Sequence, residues 1–188
     1  PLFETVKPTP FRNAPVFKDV KDITDRFILF KAGILNTKDL NAIENKTFYS
    51  TYPSLGNSSF NKEFLDPCPD KTIEETFEVP CLSLYKVFSY IDWNRFPYIE
   101  CIKIDVEGMD LEVLKSAGDK IEKVVYFRVE AFDEKSENDL AINPEDGEEI
   151  IRFLESKGFE LFDRKPGDFK FVNRSLKEMV SLMGYSWD

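Results

Sequence analysis

The chain has 188 residues, 42% hydrophobic and 32% charged, which at roughly 100–200 residues per domain is material for a single folded domain, 1–188. Eighteen Phe, seven Tyr and two Trp exclude wholesale disorder. Twenty-five Lys and Arg against 35 Asp and Glu leave a net charge of −10, and there is no histidine. An acidic surface repels phosphate backbones and anionic lipid, so binding to nucleic acid or membrane through charge is excluded. The missing imidazole excludes Ser-His-Asp and Cys-His catalysis and histidine metal ligands.

In chain order, Phe27 to Ile34 reads as a buried strand that Gly33 weakens at its end. Thr47 to Tyr52 and Thr76 to Val79 are β-branched and aromatic, are followed by Pro53 and Pro80, and read as short strands around an irregular loop, Pro53 to Asp70. Ser83 caps a helix over Leu84 to Asp92, where Leu84, Val87, Phe88 and Ile91 keep helical spacing. Ile99 to Val106 is the clearest strand, with Ile102, Ile104 and Val106 on one face. Asp110 to Ala117 is a short helix that Gly118 ends, and Val124 to Phe132 is a further strand. Pro144 to Lys157 is a helix with an acidic first turn, closed by Gly158. Phe159 to Asp163 and Phe169 to Asn173 form a hairpin around Lys165 to Asp168, and Ser175 caps a last helix to about Met183.

Strands alternating with helices predict an α/β fold with a mostly parallel sheet and an antiparallel C-terminal hairpin. Cys68, Cys81 and Cys101 have no CxxC spacing and read as buried thiols of a cytoplasmic protein. No apolar run approaches the ~20 residues that cross a bilayer.

In such sheets the ligand crevice lies beyond the carboxyl ends of the strands. There, Asp105 and Glu107 stand two apart at the end of an apolar strand, just before Gly108, and Glu130 ends the next strand. If the two strands are parallel neighbours, three acids converge, and a cation, a donor-rich substrate or a shared proton must offset their repulsion. Asp110 is positioned to cap or lead the following helix. Lys103 shares a face with Asp105 and is expected to pair with it or pack.

Val79-Pro80-Cys81-Leu82-Ser83-Leu84 and, further on, Ile102-Lys103-Ile104-Asp105-Val106-Glu107-Gly108-Met109-Asp110 resemble the signature of FkbM-type methyltransferases, with Asp110 where that family usually has Glu. Phe27 to Thr37 resembles the family's third strand and the turn after it, and Thr47-Phe48-Tyr49 with Ser58-Ser59-Phe60 its next strand and small-residue loop. The resemblance spans about residues 27–132. It implies a Rossmann-like class I methyltransferase sheet and S-adenosylmethionine as cofactor. The acceptor it implies is a hydroxyl on a sugar or small natural product. It places Asp105 at cofactor and chemistry, and Ala32 and Gly33 near the adenine. The opening Phe3 to Pro10 resembles the family's second strand, where Glu4 stands for the acid on the ribose hydroxyls, though its spacing to Pro8 is longer than the pattern.

None of the eight glycines forms a GxG, so the family's first strand, helix and glycine-rich loop are expected to be lacking. A sheet without that strand has extra edges unpaired, so a partner strand, a rearrangement or self-association as a homo-oligomer is expected.

Without histidine the catalytic base for a hydroxyl falls to a carboxylate among Asp105, Glu107 and Glu130, to Lys, to Tyr or to metal-bound hydroxide. A metal-free site is favoured, because the resemblance carries no metal requirement. Tyr49, Tyr52, Phe60, Trp93, Phe96 and Tyr98 are candidates to line an acceptor pocket. The alternatives are a non-enzymatic relative that keeps the fold for binding or assembly, and a divalent-metal phosphoesterase-like site on the same acids.

Overall fold

A computed structural model describes residues 3–4, 29–30, 32–52, 58–65, 72–131 and 144–178. The chain divides into two compact units, Pro1–Gly33 and Ile34–Asp188. In the first, strand β1 (Phe3–Glu4) pairs antiparallel with β2 (Leu29–Phe30), Glu4 opposite Leu29. The long strand expected over Phe27 to Ile34 is therefore divided between β2 and β3 (Gly33–Ile34), and residues 27, 28 and 31 lie outside the described residues.

The second unit holds most of the structure. β4 (Ile43–Tyr52) and β5 (Thr72–Leu82) form a long antiparallel ribbon, joined to β3 in the order β3-β5-β4. Both strands outrun the short ones expected from the prolines. Pro80 lies inside the ladder opposite Asn45, where proline removes one donor without ending the strand. Cross-strand pairs hold the ribbon together: Phe48 faces Phe77, and the Thr47 hydroxyl donates to Glu78 at 2.7 Å. Helix α1 (Lys62–Leu65) follows within the loop expected to be irregular, of which residues 53–57 and 66–70 lie outside the described residues.

Helix α2 (Leu84–Phe88) starts where expected, with the Ser83 hydroxyl accepting the Lys86 amide at 2.9 Å. It stops short of Asp92, because the Ser89 hydroxyl turns back onto the Lys86 carbonyl at 2.6 Å and caps it. Four strands then make the second sheet, in the order β6-β7-β9-β8: β6 (Ile99–Ile104), β7 (Val124–Val129), β8 (Phe159–Lys165) and β9 (Asp168–Asn173). β6 and β7 are parallel, with Ile104 opposite Val129, and α3 (Asp110–Lys115) plus a 3-10 segment (Gly118–Lys123) makes the crossover. β9 runs antiparallel to both β7 and β8.

The fold is mixed α/β with mixed sheets rather than the mostly parallel sheet expected. The departure lies in β4 and β5, which pair antiparallel along their whole length, and in β9, which lies antiparallel beside β7; the expected C-terminal hairpin is present, with Gly167 at φ +78° folding β8 straight back into β9. Helix α4 (Pro144–Ser156) ends at Gly158, φ +87°, as the sequence predicts. The last predicted helix is described only at 177–178, and its continuation lies outside the described residues.

The core sits where β7 and β9 meet α3 and α4. Phe127, Phe159, Phe169, Phe171, Leu114 and Leu154 are fully buried, and the Phe127 and Phe159 rings lie 5.2 Å apart. Cys81 is buried as expected. Cys101 is exposed, contrary to expectation, because among the described residues β6 is the edge strand and its side chains at Glu100, Cys101 and Lys103 meet solvent. Cys68 lies outside the described residues. Among the described residues no helix is long and apolar enough to cross a membrane.

Candidate active site

β6 ends at Ile104 and β7 at Val129, in parallel and in register, so Asp105 and Glu130 leave the sheet side by side. The Glu130 amide donates to the Ile104 carbonyl at 3.0 Å, extending the ladder one residue past the strand end. Beyond Asp105 the chain must leave the sheet and enter α3 within a few residues. Gly108, at φ +84°, permits that bend, and the Phe64 ring is pressed against it where a Cβ would stand. Glu107 adopts φ +51°, the one described non-glycine residue in the left-handed region. A side chain in that region costs about 1–2 kcal/mol, and such strain clusters at functional sites.

Asp105, Glu107 and Glu130 each offer a carboxylate oxygen within 4.8 Å of the others. The convergence expected from the strand ends is therefore present. Asp105 is exposed and pairs with Lys103, Nζ to Oδ2 at 2.5 Å, as alternation along β6 predicts. Glu130 is half-buried, and its pKa is pushed up to about 7. Burial is the first cause, the charges of Asp105, Glu107 and Asp110 follow, and a side-chain hydrogen bond with Asp105 adds to them.

Asp110 has a larger part than the sequence showed. It does not cap α3. Met109 occupies the cap position without a side-chain bond, and Asp110 is the first helical residue, 6% exposed. Its Oδ1 is the described buried side-chain atom with no hydrogen-bond partner. Its pKa is also raised to about 7, by burial first, with the charges of Asp105 and Glu107 contributing. An acid leading a helix is ordinary in sequence, so its burial here left no signal beyond the apolar residues that follow it.

A cavity of about 320 Å³ opens beside the turn, with Leu35, Asn36, Thr47, Tyr49, Phe60, Met109 and Glu112 in its wall. Of the six candidate aromatics, only Tyr49 and Phe60 line it. Trp93 packs on Phe88 with its indole donating to the Phe88 carbonyl, Tyr98 joins the small core cluster of Val125, Val172 and Leu176, and Tyr52 and Phe96 are exposed. The charges at the cavity wall are already paired: Glu112 accepts from Lys115 and Asn36, and Lys46 pairs with Glu44. Ser59 joins cavity to acids, since its hydroxyl donates to the Glu107 carbonyl at 2.7 Å while its backbone bridges Tyr49. The sequence identified Ser59 only as part of a small-residue loop. Glu4, Ala32 and Gly33 belong to the first unit and are described with it alone.

An acid-only donor set suits either a cationic organic group or a hard divalent ion with oxygen ligands. A family model, the methyltransferase FkbM domain, matches residues 18–161. No curated protein and no solved structure matches the chain. The match takes in both sheet strands that carry the acids, the glycine turn between them and the cavity wall, so the chain belongs to the FkbM methyltransferase family.

Proposed function

We propose that the protein is an S-adenosylmethionine-dependent methyltransferase that methylates a hydroxyl on a sugar or small natural product. The observation that carries this reading is the convergence of Asp105, Glu107 and Glu130 at the carboxyl ends of two parallel strands in a chain of this family. The donor set fits the cofactor, because S-adenosylmethionine carries a sulfonium and an ammonium and the site gathers three carboxylates, Asp105 among them being ion-paired with Lys103. When bound, the cofactor supplies an electrophilic methyl group on sulfur.

The chain's own residues do the rest by position and proton transfer. Asp105 and Glu107 hold the positive groups. Asp110, buried behind the turn, adds negative potential to the same place. Glu130 would take the proton of the acceptor hydroxyl. With its pKa raised to about 7 it is a better base than an ordinary carboxylate, yet still ionised in a large fraction at neutral pH. The acceptor rests against Tyr49 and Phe60, which border a cavity whose charges are internally paired and which therefore suits a neutral polar ring.

A divalent cation bound by the same three acids is the second reading, favoured by their 4.8 Å spacing. Transfer of tritiated methyl from S-adenosylmethionine into a panel of neutral glycosides and phenols distinguishes the two. The first reading expects transfer without added metal, with Glu130→Gln reducing the rate about 10²–10⁴-fold. Transfer that vanishes with a chelator favours the second, and absence of transfer to every acceptor counts against methylation of this class.

A further inference from the structure

Glu107 is held in a conformation that its own chemistry disfavours. A non-glycine residue at φ +51° persists only where its surroundings over-determine it. Two contacts do so. The Ser59 hydroxyl donates to the Glu107 carbonyl at 2.7 Å, and the Phe64 ring closes over Gly108, the next residue. Both come from one short segment, 58–65, which is 48 residues away in sequence at the hydrogen bond.

Ser59 is itself fixed from several sides. It is 1% exposed, and its amide and carbonyl both bond the backbone of Tyr49, at 3.1 and 2.9 Å. Its hydroxyl oxygen also accepts the Asn61 amide at 2.9 Å. A serine hydroxyl has one proton to donate, and here that proton is committed to Glu107. Rotating the hydroxyl away breaks its bond to the Glu107 carbonyl.

We propose that Ser59 is a positioning residue, whose buried hydroxyl fixes the left-handed backbone of Glu107 and so keeps the Glu107 carboxylate beside Asp105 and Glu130. The proposal deepens the methyltransferase reading and rests on it for its functional meaning, since the three acids are the reaction site there. It also makes Ser59 the link between that site and the cavity, because the residue after it, Phe60, and its backbone partner, Tyr49, both line the cavity.

The test compares wild type with Ser59→Ala and with Ser59→Thr, which keeps the hydroxyl. A positive φ brings the amide proton close to its own Hα, so the intraresidue amide-to-Hα NOE of Glu107 reports the conformation directly. Wild type and Ser59→Thr are expected to show a strong NOE, and Ser59→Ala to lose it while the rest of the amide spectrum keeps its dispersion. A folded Ser59→Ala protein that retains the strong NOE at Glu107 overturns the proposal. Should Ser59→Ala fail to fold, Ser59→Cys, close in volume but a weak donor, is read the same way. Because the NOE needs no cofactor, it separates this proposal from the methyl-transfer reading. S-adenosylhomocysteine affinity measured on the same variants tests that reading, with a tenfold or greater loss expected in Ser59→Ala and recovery in Ser59→Thr.

Discussion

The Glu130 amide bonds the Ile104 carbonyl at 3.0 Å, which ties the end of β7 to the end of β6 and sets Glu130 beside Asp105. That contact puts the two carboxyls side by side, so the charge of Asp105 adds to burial in raising the pKa of Glu130. Two carboxyls on neighbouring parallel strands cannot avoid each other once the ladder continues past the last strand residue.

Stability should therefore fall as the pH rises through neutrality. Asp110 and Glu130 have native pKa values raised to about 7 from ordinary carboxylate values, so between about pH 4 and 7 the native state binds protons that the unfolded chain has lost. Their favourable contribution is complete below the unfolded values and is lost as the pH passes 7. Below about pH 4 the opposite group takes over, since Glu44 and Asp163 have lowered pKa values and lose their pairing with Lys46 and Lys170 on protonation. Differential scanning calorimetry should give the highest Tm near pH 5, and a double variant Asp110→Asn, Glu130→Gln should flatten the decline between pH 5 and 8.

Glu107→Gly separates strain from function. Glycine accepts φ +51° without penalty, so removing the side chain should stabilise the fold by about 1 kcal/mol in urea denaturation. Activity should fall with the loss of the carboxylate. Glu107→Gln keeps the strain and should leave stability close to wild type.

Gly108→Ala should do the reverse. The new Cβ meets the Phe64 ring and the backbone is at φ +84°, so destabilisation of about 1–3 kcal/mol is expected. Phe64→Ala in the same chain removes the clash but not the backbone strain. Partial recovery, read from the urea midpoint relative to Phe64→Ala alone, is the expected result.

Much of this is legible in the sequence. Apolar spacing behind the Ser83 cap locates the helix at Leu84, start and stop signals locate those at Asp110 and Pro144, and the acids at the strand ends are found together as expected. Pairing direction is legible only in part: the antiparallel C-terminal hairpin of β8 and β9 follows from its turn residues, whereas the antiparallel ribbon of β4 and β5 and the place of β9 beside β7 do not, because an apolar run carries no mark of the strand it pairs with. The exposure of Cys101 escaped for a related reason: edge or interior depends on neighbours that the strand's own residues do not specify. Ser59 was invisible for a third reason. Its role depends on one hydrogen bond to a residue far along the chain, and a serine in a loop carries no signal of such a partner.

Titration calorimetry with S-adenosylhomocysteine, on wild type and on Asp105→Asn, tests the central claim most directly. Binding to wild type is expected, with an affinity at least tenfold lower for Asp105→Asn, whose Tm should stay close to wild type because its exposed pair with Lys103 contributes at most about 1 kcal/mol. No detectable binding to the wild-type protein, or equal affinity in the variant, would contradict it.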